Sequence, residues 1–190
     1  MKVRENVRIW GAGLEGGVYH APKGTTAPVW TTEITEPAAP WAEFGWLDDD
    51  AGVEFEQSTD SESFKGWPGG VVLRKVTTNL ERTWKFMALE ETAATLGFVH
   101  PGLTFAPAAV GSEVYKGTVP ENHQPVEVAA IFFFQDGQNY KAAVCPAAVF
   151  ELSSSVPHKF DDLTGYEFTA TTLGEYDIYV FSADGTFVPA

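Results

Sequence analysis

Short runs of β-branched and aromatic residues, separated by glycine, proline and acidic residues, set the strongest limit on what this chain can fold into. Residues 53–56 alternate apolar and acidic side chains, which is typical of a strand with one face in water. Similar runs lie at 71–77, 80–86, 126–135, 138–144, 166–169 and 176–181. The series predicts a mainly β protein: an antiparallel β-sandwich or barrel with one short α-helix and long loops rich in glycine and proline.

One helix is predicted, after the third of these runs. Leu89, Ala93 and Leu96 fall on one stripe of helical spacing, and the two glutamates between the first two suit a helix N-terminus. Gly97 and Pro101 supply the stop signals that would end the helix.

Two further runs are predicted to form a hairpin, because Asp136 and Gly137 separate them and this dipeptide is favoured in tight two-residue turns. Residues 126–134, just before the turn, are almost entirely apolar. A strand that is apolar on both faces is either central in its sheet or meets another chain with its second face.

Residues 11–40 contain nine glycines and prolines. Because proline removes a backbone donor and glycine weakens helices and strands, this composition predicts an extended arm or loop at about 11–45. The arm also carries several large apolar side chains, which require a surface to cover them. The whole chain, residues 1–190, is of a length that suits a single domain.

Composition and charge exclude two classes of protein. Apolar residues make up 44% and aromatic residues 14% of the chain, which is incompatible with intrinsic disorder. The 26 acidic and 12 basic residues give a net charge of −14, which would repel nucleic acid phosphates and argues against a nucleic acid reader. Residues 61–120, with five acids and six bases, form the only third that is not acidic.

The N-terminus and the cysteine content indicate the compartment. Charged residues at positions 2, 4 and 5 stand where a signal peptide would need an apolar run. No apolar stretch approaches the roughly 20 residues of a membrane span. Cys145 is the only cysteine, so no internal disulfide can form. We therefore expect a soluble protein, made in a cytoplasm and without a membrane partner.

Three patterns resemble ligand sites, and each has a simpler interpretation. Glycines 11, 13 and 16 form G-x-G-x-x-G, but the prolines that follow exclude the helix that a dinucleotide site needs, which leaves a bend. Residues 48–52 resemble a calcium loop, but the glycine comes one position early and Thr59 stands where a bidentate glutamate is required, which leaves a solvated turn. The four histidines lack the spacing of metal ligands. We expect no cofactor and no metal.

No residues stand out as a catalytic site. The sequence has no G-x-S-x-G motif, and Cys145 has no histidine close to it in sequence. The carboxylates are too numerous for any pair to be singled out. We therefore expect that the protein is not an enzyme.

The six tryptophans are compatible with two binding functions. Flat indole rings bind sugars, which would suit a carbohydrate- or receptor-binding β-sandwich module of a virion or secreted complex. Tryptophan is also enriched at protein interfaces. Trp10, Trp30, Trp41 and Trp46 lie in or beside the arm, and this clustering favours an interface.

Five segments occur in an order that resembles the major tail protein of long-tailed, non-contractile bacteriophages, the tail tube subunit common in phages of actinobacteria. The segments are 18–28 (VYHAPKGTTAP), 44–53 (FGWLDDDAGV), 62–67 (ESFKGW), 71–74 (VVLR) and 83–90 (TWKFMALE). The resemblance is specific over about residues 17–100 and general beyond them. Asp49 or Asp50 looks like an insertion, and residues 101–125 match nothing in the family pattern.

The resemblance implies a structural virion protein that is assembled in the host cytoplasm. Its copies would form hexameric rings, and the rings would stack into a hollow tube around the tape measure protein. Tail terminator and baseplate or tip proteins would bind the ends of the tube. Double-stranded DNA would pass through the lumen without sequence-specific binding, and an acidic wall suits that task because it repels phosphates.

The aromatic arm is the segment that we expect to mediate self-assembly. It would dock on an adjacent subunit and become ordered only on that contact. The predicted interface residues are Val18, Pro22, Pro28, Trp30, Trp41, Trp46 and Trp67.

Overall fold

One antiparallel sheet of eight strands dominates the protein. A computed structural model describes residues 7–11, 17–122, 124–161, 163–183, 185 and 187, and the elements counted here lie within them. The elements are β1 (Gly17–Pro22), β2 (Ala42–Glu43), β3 (Val53–Lys65), β4 (Val72–Ala88), α1 (Ala93–Val99), β5 (Thr104–Pro107), β6 (Tyr115–Thr118), β7 (Glu127–Asp136), β8 (Asn139–Leu152), β9 (Tyr166–Thr172) and β10 (Asp177–Phe181). The predicted fold class, mainly β with antiparallel strands and one short helix, is confirmed.

The strand order in the large sheet is β2-β1-β7-β8-β9-β4-β3. Strand β10 also pairs with β8, beside the first half of that strand, while β9 pairs with the second half. Strands β5 and β6 form a separate two-stranded sheet.

The large sheet curls until its two ends meet. Trp84 of β4 stacks on Phe132 of β7 with 4.5 Å between ring centroids, although β8 and β9 lie between these strands in the sheet order. Residues 42–48 close the remaining gap, since Glu43 pairs with β1 and Leu47 forms a bridge to Ala88 of β4. The inside of this barrel-like curl is filled by the larger hydrophobic core, which we call the inner core. Six phenylalanines are among its buried residues.

Strand β7 is buried on both faces, as its sequence predicts. Ala130 and Phe132 belong to the inner core, while Ile131 and Phe133 point to the opposite face and belong to a second core. The strand is central, between β1 and β8. Its second face is covered by the chain's own arm, and so the alternative explanation, a contact with another chain, is not needed.

The helix differs from its prediction. It begins only after Thr92, whose hydroxyl accepts a hydrogen bond from the Thr95 backbone N–H at 3.1 Å. Leu89 lies outside it, because its backbone N–H donates to the carbonyl of Trp46 and holds the chain extended. The helix buries Thr95 and Phe98 and not the predicted Ala93 and Leu96, so the prediction of its buried face was wrong.

The hairpin of β7 and β8 is confirmed, with its turn one residue later than predicted. Asp136 pairs with Asn139, so the two loop residues are Gly137 and Gln138. Gly137 has φ +61°, whereas Gln138 is not among the residues with positive φ. A positive φ at the first loop position alone is typical of a type II′ turn.

Candidate self-assembly surfaces

The longest projection of the molecule is the hairpin of β3 and β4. Strand β9 pairs with β4 only from Thr83 to Ala88, so that, among the described residues, 72–82 have β3 as their sole strand partner. Ten residue steps of strand span about 33 Å. Sequence analysis missed this ribbon because it divided β4 into two runs, whereas Leu80 and Asn79 continue the pairing with β3.

The ribbon carries apolar side chains in water. Trp67, in the turn between its strands, is 95% exposed, and other large apolar residues are exposed along both strands. They are Phe55, Phe64, Val71, Val72, Leu73 and Leu80. A two-stranded ribbon is marginally stable in water by itself, and a large exposed apolar patch marks an interaction site. The ribbon is therefore a candidate docking element.

The outer part of the ribbon is basic in an acidic protein. Residues 63–75, which we call the basic tip, contain three cationic residues and no acidic one, while Glu62 and Asp60 precede it on β3, opposite Val76 and Asn79. The three are Lys65, Arg74 and Lys75, and all are exposed. Within the described part of the chain, none of their side chains has an ion pair or hydrogen bond, unlike Lys85 nearer the body, which pairs with Glu56 at 2.9 Å.

A cleft of about 1090 Å³ lies at the other end of this hairpin, where β3 begins. Its wall includes two indole rings, of Trp10 and Trp46, and the backbone at Val53. Five carboxylates line it, and we call it the acidic cleft: Glu36, Glu43, Asp48, Asp49 and Glu90. Lys141 lies near its apolar end, with its Nζ 5.8 Å from the centre of the Trp10 ring. The lining residues come from distant parts of the sequence, so no local motif could reveal the cleft.

Two glycines make room for the carboxylates of the acidic cleft. A Cβ on Gly45 would lie 2.3 Å from the carboxyl carbon of Glu90, and one on Gly17 would lie 2.8 Å from Oε1 of Glu43. Glu90 accepts a hydrogen bond from the Trp46 backbone N–H at 3.0 Å. Burial raises the pKa of Glu43, and the charges of Glu36 and Glu90 raise it further. The cleft therefore favours a positively charged occupant.

The arm packs on its own subunit. Ile34 and Trp41 are buried in the second core, and Trp30 lies against Tyr179 with 5.0 Å between ring centroids. The Trp30 indole N–H also donates to the Thr35 carbonyl at 3.0 Å. The expectation that the apolar residues of the arm need a covering surface is correct, but for these residues the surface is the sheet of the same chain.

The predicted interface residues separate into two groups. Val18 is 0% exposed and Trp41 9% exposed, so neither side chain is available to a neighbouring subunit, and we no longer assign them to the interface. The other five retain exposed surface and stay predictions: Pro22, Pro28 and Trp30 on the arm, Trp46 on the acidic cleft and Trp67 on the basic tip.

The motifs that resemble ligand sites gain no support. Residues 12–16 of the G-x-G-x-x-G pattern and His123 lie outside the described residues. Residues 48–52 form the predicted turn, in which Asp48 accepts from the backbone N–H groups of Ala51 at 2.7 Å and Gly52 at 2.9 Å. Among the described residues, no group of three or more histidine, cysteine, aspartate or glutamate side chains could hold a metal ion.

Cys145 is a residue of the inner core. It is 0% exposed, and its Sγ lies 3.6 Å from the hydroxyl of Thr172. Burial raises the pKa of the thiol to about 11, which leaves it protonated and unreactive at neutral pH.

In the described part of the chain, no helix is both long and apolar enough to cross a membrane.

A family model described as phage tail tube protein matches residues 5–182. The chain belongs to the phage tail tube protein family. This protein is therefore a structural component of a phage virion, and the resemblance seen in residues 18–90 is confirmed at that level. The family match also includes residues 101–125, a region in which the sequence alone showed no resemblance to the family pattern. No curated protein matches the chain.

Proposed function

We propose that copies of this tail tube protein form hexameric rings, which stack into the tube of a long, non-contractile tail and guide DNA during ejection. The protein has no catalytic step in this role. The observation that carries the proposal, beyond family membership, is the ribbon of β3 and β4, because large apolar side chains along it and in its turn remain exposed in the subunit.

The two ends of the molecule differ, and this suits a tube. A contact between two different patches is heterologous, and such contacts close into rings or continue as filaments. The ribbon and the acidic cleft are two such unlike surfaces. The tape measure protein inside the tube, and terminator and baseplate or tip proteins at its ends, are the further partners in this proposal. Assembly takes place in the host cytoplasm, and phages of actinobacteria are the group whose subunits it resembles.

Sedimentation over a range of protein concentrations, combined with electron microscopy, tests the proposal. We expect rings and tubes to appear as the concentration rises. A variant in which Asn-Gly replaces residues 60–79 would join the paired residues Thr59 and Leu80 through a two-residue turn. This variant is expected to keep a cooperative unfolding transition, because the curled sheet does not use the removed part, and to stay monomeric.

Two results would contradict the proposal. One is a wild-type protein that stays monomeric at every concentration, and the other is tube formation by the shortened variant. A small species whose tryptophan fluorescence responds to glycans would instead favour the carbohydrate-binding module.

A further inference from the structure

The basic tip and the acidic cleft have opposite charge, and among the described residues no side chain forms an ion pair with the cations of the tip or the carboxylates of the cleft. The tip contributes three positive charges over residues 63–75, and the cleft gathers five carboxylates. Glu36 and Glu90 both raise the pKa of Glu43, and all three residues line the cleft, so negative charge is concentrated there. A cationic occupant would offset this charge.

A subunit cannot place its own tip in its own cleft. Val53, the first residue of β3, lines the cleft, and the tip begins ten residues later on the same strand. An extended strand of that length holds its ends about 33 Å apart. The occupant must therefore come from another molecule.

The cleft is large enough for a protein segment. Its volume of about 1090 Å³ stands at the upper end of the roughly 300–1,000 Å³ that is common for small-molecule pockets. That is far more than a single hydrated ion requires. The exposed indole of Trp46 on the cleft wall provides an apolar surface beside the carboxylates, as the tip provides Trp67 beside its cations.

We infer that the basic tip of one copy docks in the acidic cleft of the next, with Lys65, Arg74 and Lys75 facing the cleft carboxylates. This inference rests on the proposed self-assembly and names the surfaces that perform it. Each copy carries one tip and one cleft, so the contact repeats from copy to copy and gives a ring if it closes or a filament if it does not. The occupant is a second copy because the charge on the tip complements that of the cleft.

Reciprocal charge reversal tests the pairing. The tip variant carries Lys65→Glu, Arg74→Glu and Lys75→Glu, and the cleft variant carries Glu36→Lys, Glu43→Lys and Asp49→Lys. In each variant alone, tip and cleft have the same sign, so we expect the concentration needed for assembly to rise about tenfold or more. In an equimolar mixture every tip meets a cleft of opposite sign, and we expect alternating polymers at close to the wild-type concentration.

A control variant reverses three exposed acids that do not line the cleft: Glu151→Lys, Asp161→Lys and Glu175→Lys. It has the same net charge as the cleft variant and should assemble like the wild type. Restoration in the mixture also shows that both variants are folded, since unfolded subunits would not copolymerise.

The outcomes separate the two proposals. Wild-type protein that never assembles would overturn the proposed function itself. Assembly of the wild type together with undiminished assembly of both variants would overturn only the pairing of tip and cleft. Loss of assembly in both variants without recovery in the mixture would also overturn this pairing, since it would show that the reversed residues do not face each other.

Discussion

At the scale of single residues, His20 is a buried side chain whose protonation affects stability. Its ring lies between Phe44 and Phe98, with centroid distances of 5.1 and 4.9 Å. Its Nε2 atom is buried and has no hydrogen-bond partner in the described part of the chain. Burial lowers the pKa of His20 because the charged imidazolium would lose its water.

This lowered pKa predicts that acid destabilises the subunit. The unfolded chain protonates His20 below the ordinary histidine pKa of 6.5, while the folded protein resists protonation until a lower pH. The free energy of unfolding is therefore highest above pH 6.5 and falls as the pH decreases below it, by at most about 1.4 kcal/mol per pH unit. The fall ends where the folded protein also becomes protonated.

Urea unfolding of the wild type and of His20→Gln between about pH 7.5 and 5 measures this dependence. We expect the slope below pH 6.5 to be shallower in the variant, while His100→Gln, a change at an exposed histidine, keeps the wild-type slope. Glu43 works in the opposite direction, because its raised pKa makes acid stabilising there. The difference between wild type and variant cancels that contribution. Equal slopes in wild type and His20→Gln would refute the assignment.

At the scale of secondary structure elements, the helix depends on its cap. Helix α1 has only seven residues, and helices this short have little stability of their own. The Thr92 hydroxyl satisfies the Thr95 backbone N–H and lies 3.0 Å from the Thr95 hydroxyl. We expect Thr92→Ala to lower the free energy of unfolding by about 1 kcal/mol.

Thermal or denaturant unfolding of Thr92→Ala and Thr92→Ser checks this prediction. Serine retains the capping hydroxyl, so the serine variant should stay within about 0.5 kcal/mol of the wild type. A serine variant that loses as much stability as the alanine variant would show that the methyl group of Thr92, and not the cap, matters.

The strands could be predicted because their signals are local. The run at 80–86 was expected to form a strand, and it lies in β4, where the side chains of Trp84 and Phe86 are buried in the inner core. The sequence located the helix but did not predict its first residue or its buried face. Its start depends on a hydrogen bond from the Leu89 backbone N–H to the carbonyl of Trp46, a residue far away in sequence. The same limit applies to Val18 and Trp41. Their apolar side chains indicate that a surface covers them, but the sequence does not say whether that surface belongs to the same chain or to another copy.

The candidate site was even less accessible from the sequence. Trp46 and Trp67 were expected to be at an interface, and both are exposed. The basic tip has a local signal, the absence of acidic residues from 63 to 75, that would have identified it. The acidic cleft has none, because Glu36, Asp49 and Glu90 come together only when the sheet curls.

At the scale of the whole molecule, the net charge of −14 per subunit has two opposing effects on a tube. In the proposed tube this charge would make subunits repel one another, yet it would also keep DNA away from the wall. The repulsion acts over the screening length, about 8 Å at physiological salt and about 30 Å at 0.01 M. Contacts between opposite charges, such as that of tip and cleft, act at closer range and can overcome it at physiological salt.

DNA passage is the property that this charge predicts for the assembled tube. Duplex DNA carries one negative charge per roughly 1.7 Å, so a lumen lined with carboxylates should not retain it at about 0.15 M salt. Exposed acids can be changed to lysine in groups of three neighbours, each group moving the subunit charge from −14 to −8. We expect that groups outside the lumen leave DNA passage unchanged, while a group that faces the lumen slows DNA release without preventing tube formation. Release is measured from assembled particles, with tube length by electron microscopy as the control, and unaltered release in every group would show that the charge of the wall does not govern passage.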